Sequence, residues 1–293
     1  MYIFQPRQPI LKPYIKKIHY FTLDSLNLSL MTAIPTGNVF LSVFWGCGEY
    51  VTQRPNSAER TEKGGVFISG QQFEIAHHWV KEGKMNIIGF ELTPHAIHQF
   101  FDVPQEEITG KVLKLEDIWS GKASALYQQV IHEPDPVKRL EIIERFLCER
   151  IVSDEWKDNK SIDQAIFLIH QSKGNISVKQ LAGSLRISTR SLERRFLQAV
   201  GISPKSFCKI IQFNNAFKLL ARSNKQILDV VSEAGYYDQP HFTNHFRKVF
   251  GISPGQFFEE NENFLYNFKN DNDQYAFDSL YDLFHQVNKL YVF

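Results

Sequence analysis

Along residues 1–110 the apolar positions come in short runs closed by glycine, and beyond Pro94 they recur at helical spacing. Val39-Phe40-Leu41-Ser42-Val43-Phe44-Trp45 is aromatic and β-branched and ends at Gly46 and Gly48, the pattern of a strand. Val66-Phe67-Ile68 follows Gly64-Gly65, and Phe73–Val80 and Met85–Leu92 offer two more strands. Short strands so placed predict a barrel or sandwich rather than βαβ units. After Pro94, Ile97, Phe100 and Phe101 share a helical face, and Leu140, Ile143, Phe146, Leu147 and Ile151 make an apolar stripe over 136–152. The polar stretch Ser153–Lys160 is the expected boundary, closing a first domain at 1–155.

Beyond it the chain repeats itself. Gly201-Ile202-Ser203-Pro204-Lys205-Ser206-Phe207 returns as Gly251-Ile252-Ser253-Pro254-Gly255-Gln256-Phe257, fifty residues later. Carried upstream, that offset pairs Leu192 with Phe242, Phe196 with Phe246, Ser188 with Asp238 and Leu181 with Val231. Two copies of one helical unit explain this, and two are too few for a solenoid. In the first copy Val178–Leu185 forms a short helix with Leu181, Ala182 and Leu185 inward, Arg186-Ile187 makes the turn, and Ser188 is a plain N-cap. Leu192, Phe196 and Val200 then face the core and leave Arg190, Glu193 and Arg194 outside, near the helix start. In the second copy Ile227, Leu228, Val231 and Ala234 mark the first helix, Gly235 the turn and Asp238 the cap, with Pro240 tolerated in the first turn. Phe242, Phe246 and Phe250 form its stripe, and Gln239, His241 and Asn244 stay outside. Between the units Lys205–Arg222 reads as one long helix, with Phe207, Ile210, Ile211, Phe217 and Leu220 apolar, that would fix their separation.

Charge changes the picture. The chain carries a net +1, but residues 161–258 hold 13 Lys and Arg against 5 Asp and Glu, while 259–293 hold 2 against 7. A basic segment beside an acidic one points to a polyanion, or to a basic surface with no partner. A short helix, a tight turn and a second helix with a basic start is the arrangement that reads a DNA major groove. Arginine there pairs bidentately with guanine, Asn and Gln suit adenine, and histidine reaches a base or a phosphate. Glu193 either accepts from a cytosine amino group or pairs with a neighbouring arginine. Arg247 and Lys248 suit phosphates, or are ordinary surface charges.

The stretch Gln226–Phe258, above all Ala234-Gly235-Tyr236, Phe242, Phe246-Arg247-Lys248 and Gly251-Ile252-Ser253-Pro254, resembles the AraC/XylS family of transcription regulators. The resemblance implies a DNA-binding domain at 161–260 whose two recognition helices enter successive major grooves. Arg190, Glu193 and Arg194 would approach bases in the first, and Gln239, His241 and Asn244 in the second. Arg186 stands where glycine is frequent and Asn244 where a basic residue is, so the second unit is expected to make weaker or less selective contacts. The resemblance also implies a cupin-like N-terminal domain that senses a small molecule, dimerises, or does both. The fold expected is therefore α+β: a β-rich cupin-like sensory domain with helices, then an all-α domain of two helix-turn-helix units. Tyr14, Tyr20, Phe40, Phe44, Trp45 and Trp79 are candidates to line an apolar pocket, with plain barrel core the simpler reading of each, and no effector residue is assigned. Double-stranded DNA is the expected partner, with RNA polymerase, a small-molecule effector and a second copy of the chain as further candidates.

Other classes fare worse. A repair enzyme fused to such a reader would need a zinc-bound cysteine cluster, whereas Cys47, Cys148 and Cys208 are scattered and read as free thiols. His77 and His78 are adjacent and point to opposite strand faces, and His95 and His98 add no chelating spacing, so no metal or other cofactor is expected. A helical interaction module without DNA fits the basic segment poorly. No signal peptide and no membrane-spanning run is legible, so the expectation is a cytoplasmic protein that is not an enzyme. Family members usually end soon after the second unit. Here residues 261–293 form an acidic, aromatic extension in which Leu280, Leu283, Phe284 and Val287 suggest a short amphipathic helix docking on the sensory domain.

Overall fold

A computed structural model describes residues 2–27, 31–55, 57–101, 103–151, 160–222 and 226–260. The expected boundary after Ser153 and the helix expected near Leu280 lie outside these residues. The N-terminal part holds the strands β1 (Tyr2–Phe4), β2 (Ile15–Asp24), β3 (Met31–Ala33), β4 (Val39–Gly46), β5 (Glu49–Gln53), β6 (Arg60–Glu62), β7 (Gly65–Ser69), β8 (Ala76–Lys81), β9 (Lys84–Leu92) and β10 (Val112–Lys114). They form a six-stranded sheet, β1-β2-β9-β4-β7-β10, and a four-stranded sheet, β3-β8-β5-β6, in which every pairing is antiparallel. The helices α1 (Ala96–Phe100), α2 (Gln105–Ile108), α3 (Ser120–His132) and α4 (Pro136–Ile151) follow.

Alternation explains why β4 and β9 carry apolar residues on both faces. Leu41, Val43, Ile88 and Phe90 face one way, into a core shared with Leu126, Leu140, Ile143 and Leu147 of α3 and α4. Phe44, Met85 and Ile87 face the other way, against Tyr50 and Val80 of the smaller sheet. Both faces of the central strands are therefore buried. The ten-residue β2 was not legible, because an irregularity between Ile15 and Lys17 breaks its period. The expected strand at Phe73 starts only at Ala76, and Phe73 is 45% exposed in the preceding loop.

The C-terminal part is all α: α5 (Lys160–Gln171), α6 (Val178–Ser184), α7 (Thr189–Val200), α8 (Pro204–Arg222), α9 (Ile227–Glu233), α10 (Gln239–Phe250) and α11 (Pro254–Glu260). The repeated Gly-Ile-Ser-Pro is a helix junction. Gly201 and Gly251 end α7 and α10 at φ +85° and +79°, where L side chains are disfavoured. Ser203 and Ser253 accept from the backbone N–H three residues on, and proline opens the next helix.

One expected pairing is wrong by a residue. The Ile187 N–H donates to the Ala182 carbonyl and the Tyr236 N–H to that of Val231, so Val231 is the counterpart of Ala182 and Val230 that of Leu181. The second turn carries one additional residue, Tyr237, which is 93% exposed. Leu228, one of the residues that mark α9, is 60% exposed.

Candidate nucleic-acid interface

The second helix of each unit starts from a capped turn. In the first unit Ser177 and Gln180 form a capping box on α6, a motif missed in the sequence although Ser-x-x-Gln carries it. Arg186 takes the turn at φ +55° and Gly235 takes it at φ +75° in the second unit. Only the arginine bears the steric cost of that left-handed region, about 1–2 kcal/mol. Ser188 accepts from the Ser191 N–H at 3.1 Å, and Asp238 from the His241 N–H at 2.7 Å. Leu192, Phe196 and Val200 of α7 and Phe242, Phe246 and Phe250 of α10 are buried, as the stripes predicted.

Arg190, Glu193 and Arg194 are exposed together on α7, at spacings that share a face. Arg195, not singled out in the sequence, is exposed beside them. Gln239, His241, Asn244, Arg247 and Lys248 are exposed along α10. The two sets are not equivalent position by position. Asn244 stands where Arg194 does, but Pro240 and Thr243 occupy the places of Arg190 and Glu193. Behind this face Tyr236 Oη and His245 Nδ1 are hydrogen-bonded at 2.9 Å. Burial, then the charges of Lys209, His241 and Lys248, push the His245 pKa down to about 4, so it is neutral at pH 7.

A polar knot ties the units together. Gln212, midway along α8, donates through Nε2 to the carbonyls of Ala234 and Gly235 and to Asn175 Oδ1, at 2.9–3.1 Å. Asn175, between α5 and α6, donates to the same Ala234 carbonyl at 3.1 Å. The turn of the second unit is thereby bonded to both the spacer helix and the first unit. The far ends of α7 and α10 meet the β-rich part: Thr109 Oγ1 donates to the Gly201 carbonyl at 2.8 Å, and the Ile75 N–H to that of Val249 at 3.0 Å. The polar N-terminal halves point away from these attachments.

In the β-rich part, a small cavity of about 100 Å³ between the sheets is lined by Phe40 and Phe44, with Tyr50, Phe67 and His78 among its neighbours. The other aromatic candidates do not line it. Tyr14 and Trp45 belong to the core on the opposite face, Tyr20 packs against Trp45, and Trp79 is half-buried on β8. His77 and His78 are bonded to Thr32 and Thr52, and His95 lies 3.1 Å from Asp163 of α5.

Residues 181–260 match the model of a helix-turn-helix domain, and residues 2–114 that of a domain of unknown function, DUF6597. An uncharacterized HTH-type transcriptional regulator of Haemophilus influenzae is 27% identical over 115 residues, 39% of each chain. The HTH-type transcriptional regulator MtrA of Neisseria gonorrhoeae is 26% identical over 105 residues, covering 36% of this chain and 35% of its own. The chain thus matches little more than a third of the length of these relatives. The solved structure of ToxT from Vibrio cholerae aligns over 82% of this chain and 96% of its own, at 10% identity and a TM-score of 0.44. The helical part is a tandem helix-turn-helix domain of the kind that binds DNA.

Proposed function

We propose that the chain is a sequence-specific DNA-binding transcription regulator that reads two successive major grooves. The observation that carries this reading is the pair of exposed polar helix faces held at one separation by α8 and the Gln212–Asn175 knot. Residues 161–260 are the reader. Arg190, Glu193 and Arg194 in the first unit and Gln239, His241 and Asn244 in the second approach base edges, while Arg247 and Lys248 hold phosphates. Residues 1–155 form the sensory or dimerisation domain, whose inter-sheet cavity takes a small effector, and 261–293 are an appended acidic extension. Two matched relatives bear the name of transcriptional regulators, which supports the reading. RNA polymerase and a second copy of the chain are its proposed protein partners. Among the described residues no helix is long and apolar enough to cross a membrane.

The test is selection of random duplexes by the full-length protein, followed by affinity against salt. Expected is a motif with two half-sites about 10 base pairs apart and a steep loss of affinity with salt. No enriched motif would overturn the reading.

A further inference from the structure

A cleft of about 570 Å³ separates the β-rich part from the helices, well away from the inter-sheet cavity. One wall is β2 and the segment before it, with Lys12, Lys16 and Lys17. The other is the end of α5 and one face of α8, with His170, Lys173 and Lys218. Five ammonium groups therefore line a space to which a single carboxylate, Glu91, contributes. That carboxylate is already engaged: it accepts from Asn38 Nδ2 and lies 3.5 Å from His19 Nε2. Burial, then Lys16 and Lys218, push the His170 pKa down to about 4. Burial lowers that of Lys16 as well, with Lys17 adding to the effect and Glu91 opposing it.

The rest of the lining says what kind of anion fits. Ile15 and Ile211 are its apolar members, too few to solvate an acyl chain. The amides of Asn38, Asn214 and Asn215 also line the cleft. Carboxamides offer both donors and acceptors, which suits a body rich in hydroxyls.

We propose that this cleft binds a phosphorylated, hydroxyl-rich metabolite, a phosphate monoester of a sugar or nucleoside, with the phosphate between Lys16 and Lys218 and hydroxyls on Asn214 and Asn215. Because its cations come from both sides, the ligand ties β2 to α8, the helix that spaces the two readers. As the signal of a regulator, this ligand rests on the function proposed above; as a bound molecule it does not.

The experiment is titration calorimetry of the full-length protein, without DNA, using glucose 6-phosphate, adenosine monophosphate, their unphosphorylated counterparts and oleate. Expected is saturable binding of one ester, at least about tenfold tighter than its unphosphorylated counterpart. Lys16→Gln with Lys218→Gln should weaken it about tenfold or more, and Asn214→Asp, which adds a repelling carboxylate, should weaken it separately. Lys138→Gln, an exposed change on α4, should bind as the parent does. No saturable ester binding, binding undiminished in the lysine variant, or a preference for oleate would each overturn the proposal. Duplex selection on the same samples separates the two readings: ester binding without a selected motif removes the regulator and keeps the cleft, and the converse removes the cleft alone.

Discussion

The two helix-turn-helix units share a backbone plan and differ in almost everything placed on it. The first packs Ile162, Leu181, Leu192, Val200 and Ile202 around Phe196 and Phe207. The second is a phenylalanine stack in which Phe246 and Phe250 lie 4.6 Å apart, Phe250 and Phe257 likewise 4.6 Å, with Phe213 and Phe217 alongside. Outside, the contrast reverses. The first unit presents Arg190, Arg194 and Arg195, whereas α10 carries no charged residue before Arg247. One backbone thus supports a charged outer face on a largely aliphatic core and a neutral one on an aromatic core. Equivalent folds need not contribute equally to recognition.

The largest effect should come from breaking the aromatic core. Phe246→Ala removes a fully buried ring from the centre of the stack and should cost about 3–5 kcal/mol of stability, measured by chemical denaturation. A loss under about 1 kcal/mol would mean that the second unit repacks freely. Next is Gln212→Ala, which removes the donor to the exposed Gly235 carbonyl and one of the two donors to that of Ala234 and should cost about 0.5–1.5 kcal/mol. It should also blunt discrimination between operators of correct and altered half-site spacing. Unchanged spacing preference would show that α8 alone sets the separation.

Recognition itself is the third test. Arg194→Ala should cost about 1–3 kcal/mol of binding to the selected duplex. Asn244→Ala, at the equivalent place on α10, should cost less, about 0.5–1 kcal/mol, as a single neutral contact would. Equal losses would erase the functional difference between the units, and no loss for Arg194→Ala would refute its role.

How far the sequence disclosed this arrangement depended on whether a segment's burial had one period. The stripes of α7 and α10 were legible because each buries one face against one core, and β4 and β9 because both their faces are buried. The bulged β2 hides its strand among lysines, and four of the remaining strands, at three residues each, are too short for a period to show. The extra residue Tyr237 escaped because the repeat was aligned from its downstream half and carried across the turn. In the interface, individual exposed side chains could be picked out, but Gln212 and Asn175 are 37 residues apart and announce nothing alone. The cleft lysines are harder still, for they come from β2 and the segment before it, from the turn after α5 and from α8, and meet only through the packing of one part on the other.

Acid should compare the units most gently, since each keeps one histidine neutral. In the first, His170 is held down to about 4 by burial, Lys16 of β2 and Lys218 of α8; in the second, His245 by burial, Lys209 of α8, His241 and Lys248. Unfolded, both return towards 6.5. The unfolded chain therefore binds more protons between those values, and stability must fall as pH drops from about 6.5 towards 4. Both rings retain some solvent contact, so screening tempers the loss. His245→Gln should remove its share with or without a phosphate ester present. His170→Gln should matter less when the ester occupies the cleft, because an anion beside Lys16 and Lys218 relieves the part of the His170 shift that their charges add to desolvation. Denaturation midpoints between pH 7 and 5 decide the matter. Flat midpoints in the parent protein would refute the lowered histidine pKa values, and an ester effect equal in both variants would refute the difference between the units.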